Sequence, residues 1–268
     1  MTKNLENMNI RAHQNLNNID FPHRIINLIV LEKVRDCLKK IPKVNYITPR
    51  LLDVGCGTAF LLKRMLAEGL DAWGLDPYPR IQAKRESLSE RIIEGSVQDL
   101  RSEPFQIITA VEVLEHVEDY MNLLKSMISL LSSNGFLIIS VPNKWKFQIT
   151  YSPRGAAEPM YGHLWQFDHK SLESDLKCFS DEVYIEPIYS RTLGRRLLKI
   201  IHIFPTKATI KLSRALVKYY SDGAWLMGIL NIDQSLAERN ANQIKLHPSA
   251  KYYRDSSFFK KEQIEKVT

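Results

Sequence analysis

The amino-acid sequence predicts an α/β fold, a doubly wound and mostly parallel sheet of seven strands. Strand patterns alternate with helix patterns between residues 50 and 143, and this alternation is typical of parallel sheets. The strand patterns are nearly continuous apolar runs, as expected for strands that helices cover on both faces. A turn with two glycines, Gly55 and Gly57, directly follows the first strand, as in the first turn of a nucleotide-binding sheet.

The individual elements follow from apolar spacing and turn residues along the chain. The helix patterns cover 21–41, the stretch from the glycine turn to about Glu68, 119–131 and 169–176. The seven strand patterns cover 50–54, 71–75, 92–93, 105–111, 136–141, 182–190 and 224–232. Pro42 ends the first helix, and Asn134-Gly135 predicts a turn before the fifth strand.

The same patterns divide the chain into three parts. Residues 1–20 are polar and rich in Asn, which predicts a flexible N-terminus without a signal sequence. Residues 21–233 form the predicted α/β domain, and residues 234–268 form a C-terminal extension of mixed charge. Within the domain, a basic helical insert at residues 191–220 precedes the last strand.

The composition favours a globular cytoplasmic protein. Apolar residues make up 44% of the chain and charged residues 25%, which is ordinary for soluble domains. No apolar run in the sequence approaches the roughly 20 residues of a membrane span. Cys37, Cys56 and Cys178 lie far apart, which argues for a reducing compartment and against a disulfide frame or a zinc cluster.

The net charge of +7 originates in the basic insert, which contains eight Lys or Arg residues and no Asp or Glu. The rest of the chain has 29 basic and 30 acidic residues. Apolar residues accompany the basic ones, a combination that suits an anionic membrane surface or a lipid-linked substrate. The slightly favoured alternative is an insert that packs its apolar face on the sheet, and RNA binding is the third interpretation. We therefore expect a cytoplasmic location, with or without peripheral contact to the inner membrane surface.

Four features follow the carboxyl ends of successive predicted strands, where an open α/β sheet binds its ligand. They are Gly55 with Gly57, Asp76, Ser96 with Val97, and Glu112. Asp76 follows the turn by about 20 residues, where a carboxylate can accept both ribose hydroxyls. A dinucleotide-binding turn would need a further glycine at position 60, and Phe60 stands there. The spacing therefore argues against a dinucleotide oxidoreductase.

Four segments resemble the motifs of class I S-adenosylmethionine-dependent methyltransferases, namely Leu52–Thr58, Gly74–Asp76, Val111–Val117 and Ser140–Asn143. Gly162–Phe167 is similar to the segment after strand five in a small-molecule branch that includes ubiquinone-pathway enzymes. The resemblance implies a Rossmann-like fold with S-adenosylmethionine as cofactor. It also implies cofactor contacts at Asp53, Gly55, Cys56, Gly57, Asp76, Ser96, Val97 and Glu112.

The sequence departs from the family pattern at three positions. Ala59 stands where the family usually has glycine. The alanine is conformationally strained there only if the φ angle of this residue is positive. Ser96 stands where an acidic residue is usual, which leaves recognition of the adenine amino group open. Gln106 replaces a common Asp at the start of strand four, a change expected to be neutral.

The implied chemistry is an in-line methyl transfer, for which the protein aligns the nucleophile and excludes water. His116 and His163 are the candidate catalytic bases, although His116 can equally pack the helix after strand four and His163 can bind backbone. On a helix, Glu112, Glu115 and His116 would share one face. With His163 they resemble the Glu-Glu-His-His metal site of small-RNA terminal methyltransferases and a divalent-metal site in some ubiquinone-pathway enzymes. The same string occurs in relatives without a metal, so the sequence assigns no metal ligand.

The sequence therefore predicts an S-adenosylmethionine-dependent methyltransferase that methylates an oxygen of a small or lipid-linked acceptor. An RNA methyltransferase is the first alternative, and it would show RNA affinity that falls steeply with salt. A non-catalytic cofactor-binding or scaffold protein of the same fold is the second alternative. Such a protein would bind the cofactor and methylate no acceptor.

Overall fold

The computed structural model describes residues 21–42, 48–79, 88–143, 163–190, parts of 208–217, 223–232 and 251–252. The predictions for residues 1–20, for 144–162 and for most of 191–222 and 233–268 lie outside the described residues. All seven predicted strands and all four predicted helices fall within the described parts, so the predicted architecture is testable element by element.

The core is one seven-stranded sheet with the strand order β3-β2-β1-β4-β5-β8-β7. The strands are β1 (Arg50–Val54), β2 (Asp71–Asp76), β3 (Ile92–Glu94), β4 (Phe105–Val111), β5 (Leu131–Pro142), β7 (Val183–Ser190) and β8 (Gly223–Asn231). Strands β1 to β5 run parallel, whereas β8 is antiparallel to both β5 and β7. The prediction of a mostly parallel seven-stranded sheet is confirmed. Two short strands, β6 (Trp165–Gln166) and β9 (Lys251–Tyr252), form a separate antiparallel pair.

Helices cover both faces of the sheet, as the apolar strands require. They are α1 (Phe21–Lys40), α2 (Phe60–Ala67), α3 (Tyr120–Ser129) and α4 (His169–Lys177). α1 and α2 share one apolar cluster with one face of the sheet, and α3 and α4 share the other. Asp168 and Ser171 form a capping box at the start of α4, which satisfies two amide groups of its first turn.

The strand order of the sheet indicates where a ligand would bind. Between β1 and β4 the order of the parallel strands reverses, and an open α/β sheet binds ligands outside the carboxyl ends of its strands at this point. The end of β1 is the glycine turn, and the end of β4 is the segment from Glu112 to Val117. Both segments therefore border the same crevice.

Two local predictions are corrected by the structure. β5 begins at Leu131, five residues before the predicted start, and the predicted turn at Asn134-Gly135 lies within it as an irregularity opposite β4. The residues after β4 do not form the predicted α-helical face, because Glu112 has a φ of 57° and only Leu114–His116 form a single 3₁₀ turn. One left-handed residue is enough to end helical spacing.

The described part of the basic insert packs against α1. Ile210 and Val217 are buried in the same apolar cluster as α1 and α2. On the outer side, Arg214 forms an ion pair of 2.8 Å with Glu32 of α1. This part of the insert therefore agrees with the packed-insert interpretation. Among the described helices, none is long and apolar enough to cross a bilayer.

Ala59, the residue before α2, has a left-handed backbone with φ 59° and ψ 28°. Its side chain is fully buried and provides no cap to the helix. A left-handed conformation costs a residue other than glycine about 1–2 kcal/mol. The turn therefore adopts, at Ala59, a left-handed conformation that favours glycine.

We predict that Ala59→Gly changes the free energy of unfolding by less than about 1 kcal/mol. Relief of the left-handed strain is offset by the loss of a buried methyl group, about 0.8 kcal/mol, and by the freer unfolded chain, about 0.4–1 kcal/mol. Ala59→Val should instead destabilise the protein strongly, because a β-branched residue tolerates this conformation poorly. Thermal melts measure both effects, and equal melting temperatures for the two variants would contradict this assignment.

Candidate active site

The glycine turn after β1 is held against β2 by main-chain hydrogen bonds. The amides of Gly55 and Cys56 both donate to the carbonyl oxygen of Leu75, at 2.7 Å and 3.3 Å. Gly55 and Gly57 have φ angles of 69° and 49°, a region that glycine adopts without steric cost. The turn is thus a fixed backbone cradle at the carboxyl end of β1, with no side chain on either glycine.

Asp76 stands beside this cradle at the end of β2. One carboxylate oxygen accepts the amide of Gly57 at 2.9 Å, and the other accepts the amide of Tyr78 at 2.7 Å. The two predicted features, glycine turn and acidic residue, are therefore in direct contact. This is the arrangement that lets one carboxylate receive the hydroxyls of a ribose next to the turn.

Cys56 belongs to the turn through its main chain only. Its thiol is buried against Gly74 of β2, where an added methyl group would lie 2.8 Å from the sulfur. Burial raises the pKa of this thiol well above its ordinary range, so it is not a nucleophile. We therefore expect any cofactor contact of Cys56 to involve its backbone.

Asp53 lies under the turn, near the end of β1, and is almost completely buried. Its carboxylate accepts a hydrogen bond of 2.8 Å from the hydroxyl of Thr109 on the neighbouring strand β4. Burial raises the pKa of Asp53 from 3.8 to about 7, the Thr109 bond opposes this rise, and the charge of Asp76 adds to it. Asp53 therefore titrates in the neutral pH range.

Ser96 and Val97 follow β3, next to β2 in the sheet. Val97 is buried in the apolar cluster that also holds α3 and α4. The Ser96 hydroxyl donates to the side chain of Gln98 and accepts the Gln98 amide at 3.2 Å. The loop is thus a small, internally bonded turn with an apolar side, as suits one wall of an adenine pocket.

Hydrogen bonds from side chains of β5 and β8 fix the Glu112 side chain at the end of β4. Its carboxylate accepts a hydrogen bond of 2.9 Å from the Ser140 hydroxyl of β5 and one from the indole N–H of Trp225 on β8. Glu112 thus connects β4, β5 and β8 at their edge of the crevice.

His116 and His163 are neighbours, as the sequence analysis required for a joint role. Their ring centroids are 4.7 Å apart, with the rings nearly perpendicular. Two hydrogen bonds hold the segments together: the Leu164 amide donates to the Glu115 carbonyl at 2.6 Å, and the Trp165 indole donates to the Val117 carbonyl at 2.9 Å. These bonds therefore hold the segments that carry His116 and His163 together.

Glu115 joins this pair, and the sequence analysis did not count it among the catalytic residues. One ligand atom from each of Glu115, His116 and His163 lies within 4.8 Å of the others. The Glu115 side chain is completely buried, and neither carboxylate oxygen has a hydrogen-bond partner among the described residues. Burial and the charge of Glu112 raise the pKa of Glu115 well above its ordinary value.

His163 shows the opposite shift. Burial, followed by the charge of His23, lowers the pKa of His163 to about 4. The imidazole is therefore neutral at physiological pH, the form in which one ring nitrogen is an acceptor and can ligate a metal.

Trp225 is the main residue of the candidate site that could not be identified from the sequence. It lies on the predicted last strand, where an apolar run gives no sign that the indole faces Glu112. Ser140 was inside a recognised segment, but only the register of β4 and β5 places its hydroxyl beside Glu112, since Ser140 pairs with Val111.

The sheet order, the glycine cradle and the carboxylate at the end of β2 define a class I S-adenosylmethionine-dependent methyltransferase. A family model described as "Methyltransferase domain" matches residues 23–179. The chain therefore belongs to this methyltransferase family, and its cofactor is S-adenosylmethionine.

Curated relatives include several proteins named "Ubiquinone biosynthesis O-methyltransferase". The protein of Histophilus somni (strain 2336) is 33% identical over 108 residues, which cover 35% of this chain and 45% of the relative. The protein of Cereibacter sphaeroides is 30% identical over 124 residues, which cover 43% of this chain and 47% of the relative. The chain thus matches about half the length of these relatives.

Two solved structures illustrate the shared fold. The Haemonchus contortus phosphoethanolamine N-methyltransferase 2 in complex with S-adenosylmethionine has a TM-score of 0.51 and 15% identity, over 76% of this chain and 53% of that one. The plantazolicin methyltransferase in complex with a pentazolic desmethylPZN analogue and S-adenosylhomocysteine has a TM-score of 0.55 and 13% identity, over 87% of this chain and 100% of that one. At these identities the likeness concerns the fold alone.

We predict that affinity for S-adenosylhomocysteine falls as the pH falls through about 7. We propose that Asp53 faces the ammonium group of the cofactor. Protonated Asp53 must then lose its proton on binding, because the ammonium group favours the charged carboxylate. Isothermal titration between pH about 5.5 and 8 measures this slope. Asp53→Asn should remove it, and parallel profiles for wild type and variant would contradict the role of Asp53.

The raised pKa of Asp53 also predicts how its contribution to the free energy of unfolding changes with pH. Because the folded pKa of Asp53 lies above its unfolded value, the contribution of Asp53 to the stability of the cofactor-free protein falls as the pH rises from about 4 to about 7. Asp53→Asn should therefore raise the melting temperature more at pH 8 than at pH 5. Asp181→Asn, a change at an exposed aspartate, is the matched control and should show no such difference.

Proposed function

We propose that this protein transfers a methyl group from S-adenosylmethionine to an oxygen of a small or lipid-linked acceptor. The observation that supports this most is the group of Glu115 and His116, on the loop after β4, with His163, which precedes β6. Neutral imidazole and carboxyl groups suit a hydroxyl acceptor that loses a proton. The names of the curated relatives support the same reaction class.

The residues of the turn fit the cofactor. Space is open at Gly57, where an added methyl group would meet only the Gly55 carbonyl oxygen, at 3.8 Å, whereas Gly55 is packed against Val113. We assign the ribose to Asp76, the amino group to Asp53 and the adenine to the loop of Ser96 and Val97. The bound cofactor supplies a methyl group already activated on a sulfonium, so the protein has only to orient the acceptor and exclude water.

We assign different tasks to the two histidines. A base with a pKa of about 4 takes a proton from a hydroxyl poorly at neutral pH, so His163 is a poor general base. We propose His116 as the residue that accepts the proton of the acceptor. His163 then orients the His116 ring through the contact of 4.7 Å and presents a neutral nitrogen to the acceptor.

The same group also fits a divalent cation. A buried carboxyl without a hydrogen-bond partner and two imidazoles are ligands that suit Mg, Mn or Zn. Glu115, His116 and His163 would hold the ion, while Glu112 is engaged by Ser140 and Trp225. Such an ion would lower the pKa of an acceptor hydroxyl. Chelation distinguishes this variant of the proposal from the metal-free one.

The basic insert, residues 191–220, is proposed as a peripheral contact to an anionic membrane surface, which would bring the site to a lipid-linked acceptor. Lys211 and the apolar Leu212 are exposed on its described part. Cys37, Cys56 and Cys178 are free thiols, which suits the reducing cytoplasm. Nucleic acid is not part of the proposal.

The function is tested in two stages with purified protein. Isothermal titration with S-adenosylhomocysteine should show binding in the micromolar range or tighter, and absence of binding by folded protein would end the enzyme proposal. Radiolabelled methyl transfer should then be measured to catechol, to 3,4-dihydroxybenzoate and to its decyl ester, which carries a lipid-like chain. His116→Ala should lower turnover at least about 100-fold with cofactor affinity unchanged. Full activity in excess EDTA removes the metal variant.

The membrane contact is tested by flotation with vesicles of neutral or anionic lipid. We expect binding to anionic vesicles only, decreasing with salt because the attraction is electrostatic. Replacement of Lys211 by Glu should weaken it, whereas Lys170→Glu, at an exposed lysine of α4, is the matched control. Absence of flotation by the wild type would leave the insert as a packed element alone.

A further inference from the structure

A third histidine stands at the same edge of the sheet. His23 lies in the first turn of α1, and its ring centroid is 6.2 Å from that of Trp225 in an edge-to-face arrangement. Trp225 pairs with Pro142 at the carboxyl end of β5, and its indole donates to Glu112. A side chain that touches Trp225 from α1 therefore approaches the crevice from the side opposite β1.

The contacts of Trp225 continue toward the loop after β4. Its indole donates to Glu112, which stands at the end of β4, just before the 3₁₀ turn Leu114–His116. His23 therefore lies beside Trp225, at the edge of the sheet from which the loop with His116 extends.

The first turn of α1 is rigid enough to fix a side chain. Ile25, Ile26 and Ile29 are buried in the apolar cluster against the sheet. The side-chain amide of Asn27 donates to the His23 carbonyl at 2.8 Å, within the same turn. A group held by a packed helix keeps its position better than one on a loop, which is what an acceptor-positioning residue needs.

We propose that His23 is a third histidine of the acceptor pocket and positions the acceptor by a hydrogen bond from its imidazole. This role rests on the proposed function, since it presumes an oxygen acceptor at His116 and His163. Imidazole can donate and accept a hydrogen bond, so it can hold a hydroxyl or a second oxygen of the acceptor. In this role His23 does not need to take the proton.

A purely structural histidine would behave differently when it is replaced. Removal of a packing residue lowers the melting temperature and affects cofactor and acceptor together. Removal of a positioning residue raises the Michaelis constant of the acceptor and leaves cofactor binding and the melting temperature nearly unchanged. The two roles are therefore separable by measurements on one variant.

The test uses full-length protein and the first of the three catechol probes that the wild type methylates. His23→Ala should raise the Michaelis constant of that probe about tenfold and change kcat less than about threefold, as expected for one lost hydrogen bond. His23→Gln, which retains a donor and an acceptor, should restore at least half of the loss in affinity. Arg24→Ala, at the exposed neighbour in the same turn, is the matched control and should behave as wild type.

The outcomes separate the role of His23 from the proposed function. A probe methylated with the same Michaelis constant by wild type and His23→Ala overturns the role of His23 alone. Weaker binding of S-adenosylhomocysteine by His23→Ala, or a loss of several degrees in melting temperature, also overturns it in favour of packing. A wild type that binds S-adenosylhomocysteine and methylates none of the probes overturns the proposed oxygen acceptor, and the role of His23 with it.

Discussion

The contact between Gly55 and Val113 is the constraint on which the rest of the site depends. A methyl group at position 55 would lie 2.5 Å from Cγ2 of Val113, so only glycine lets the turn after β1 touch the segment after β4. Both sides of the contact have unusual backbones, since Gly55 has a φ of 69° and Glu112 a φ of 57°. Because Glu112 directly precedes Val113, the glycine turn also fixes where the segment after β4, Glu112–Val117, begins.

The other half of the site depends on the change of strand direction in the sheet. β8 runs antiparallel to β5, so its first residues rather than its last lie at the carboxyl edge of the parallel strands. The side-chain amide of Asn143 donates to the Gly223 carbonyl at 3.1 Å and fixes this end of β8 to the end of β5. Trp225 then reaches Glu112, and α1 reaches Trp225 through His23. A chain of contacts therefore connects the first helix to the loop after β4.

The two halves were predictable to different degrees for a physical reason. The cofactor half consists of local segments, in which each strand carries its own turn and the spacing alone brings Gly57 and Asp76 together. The acceptor half is assembled from distant residues, and Trp225 reaches Glu112 across 113 positions of the chain. The predicted helical face at 112–116 was wrong because periodicity does not report the φ angle of one residue. For Ala59 the sequence raised the question of a positive φ, and only the structure answered it.

The site concentrates carboxyl groups in a chain whose net charge is positive. Asp53 and Glu115 are both buried, and burial raises the pKa of each, so the cofactor-free fold carries them at a cost. A cationic ligand reverses this cost, since S-adenosylmethionine brings an ammonium and a sulfonium, and a divalent cation would do the same for Glu115. Replacing either residue by a neutral one should raise the free energy of unfolding of the ligand-free protein. It should also weaken the binding of the cationic ligand. Under the proposed roles, stability and function are opposed at these two positions, which is expected where a site is prepared for a charge that only its ligand supplies.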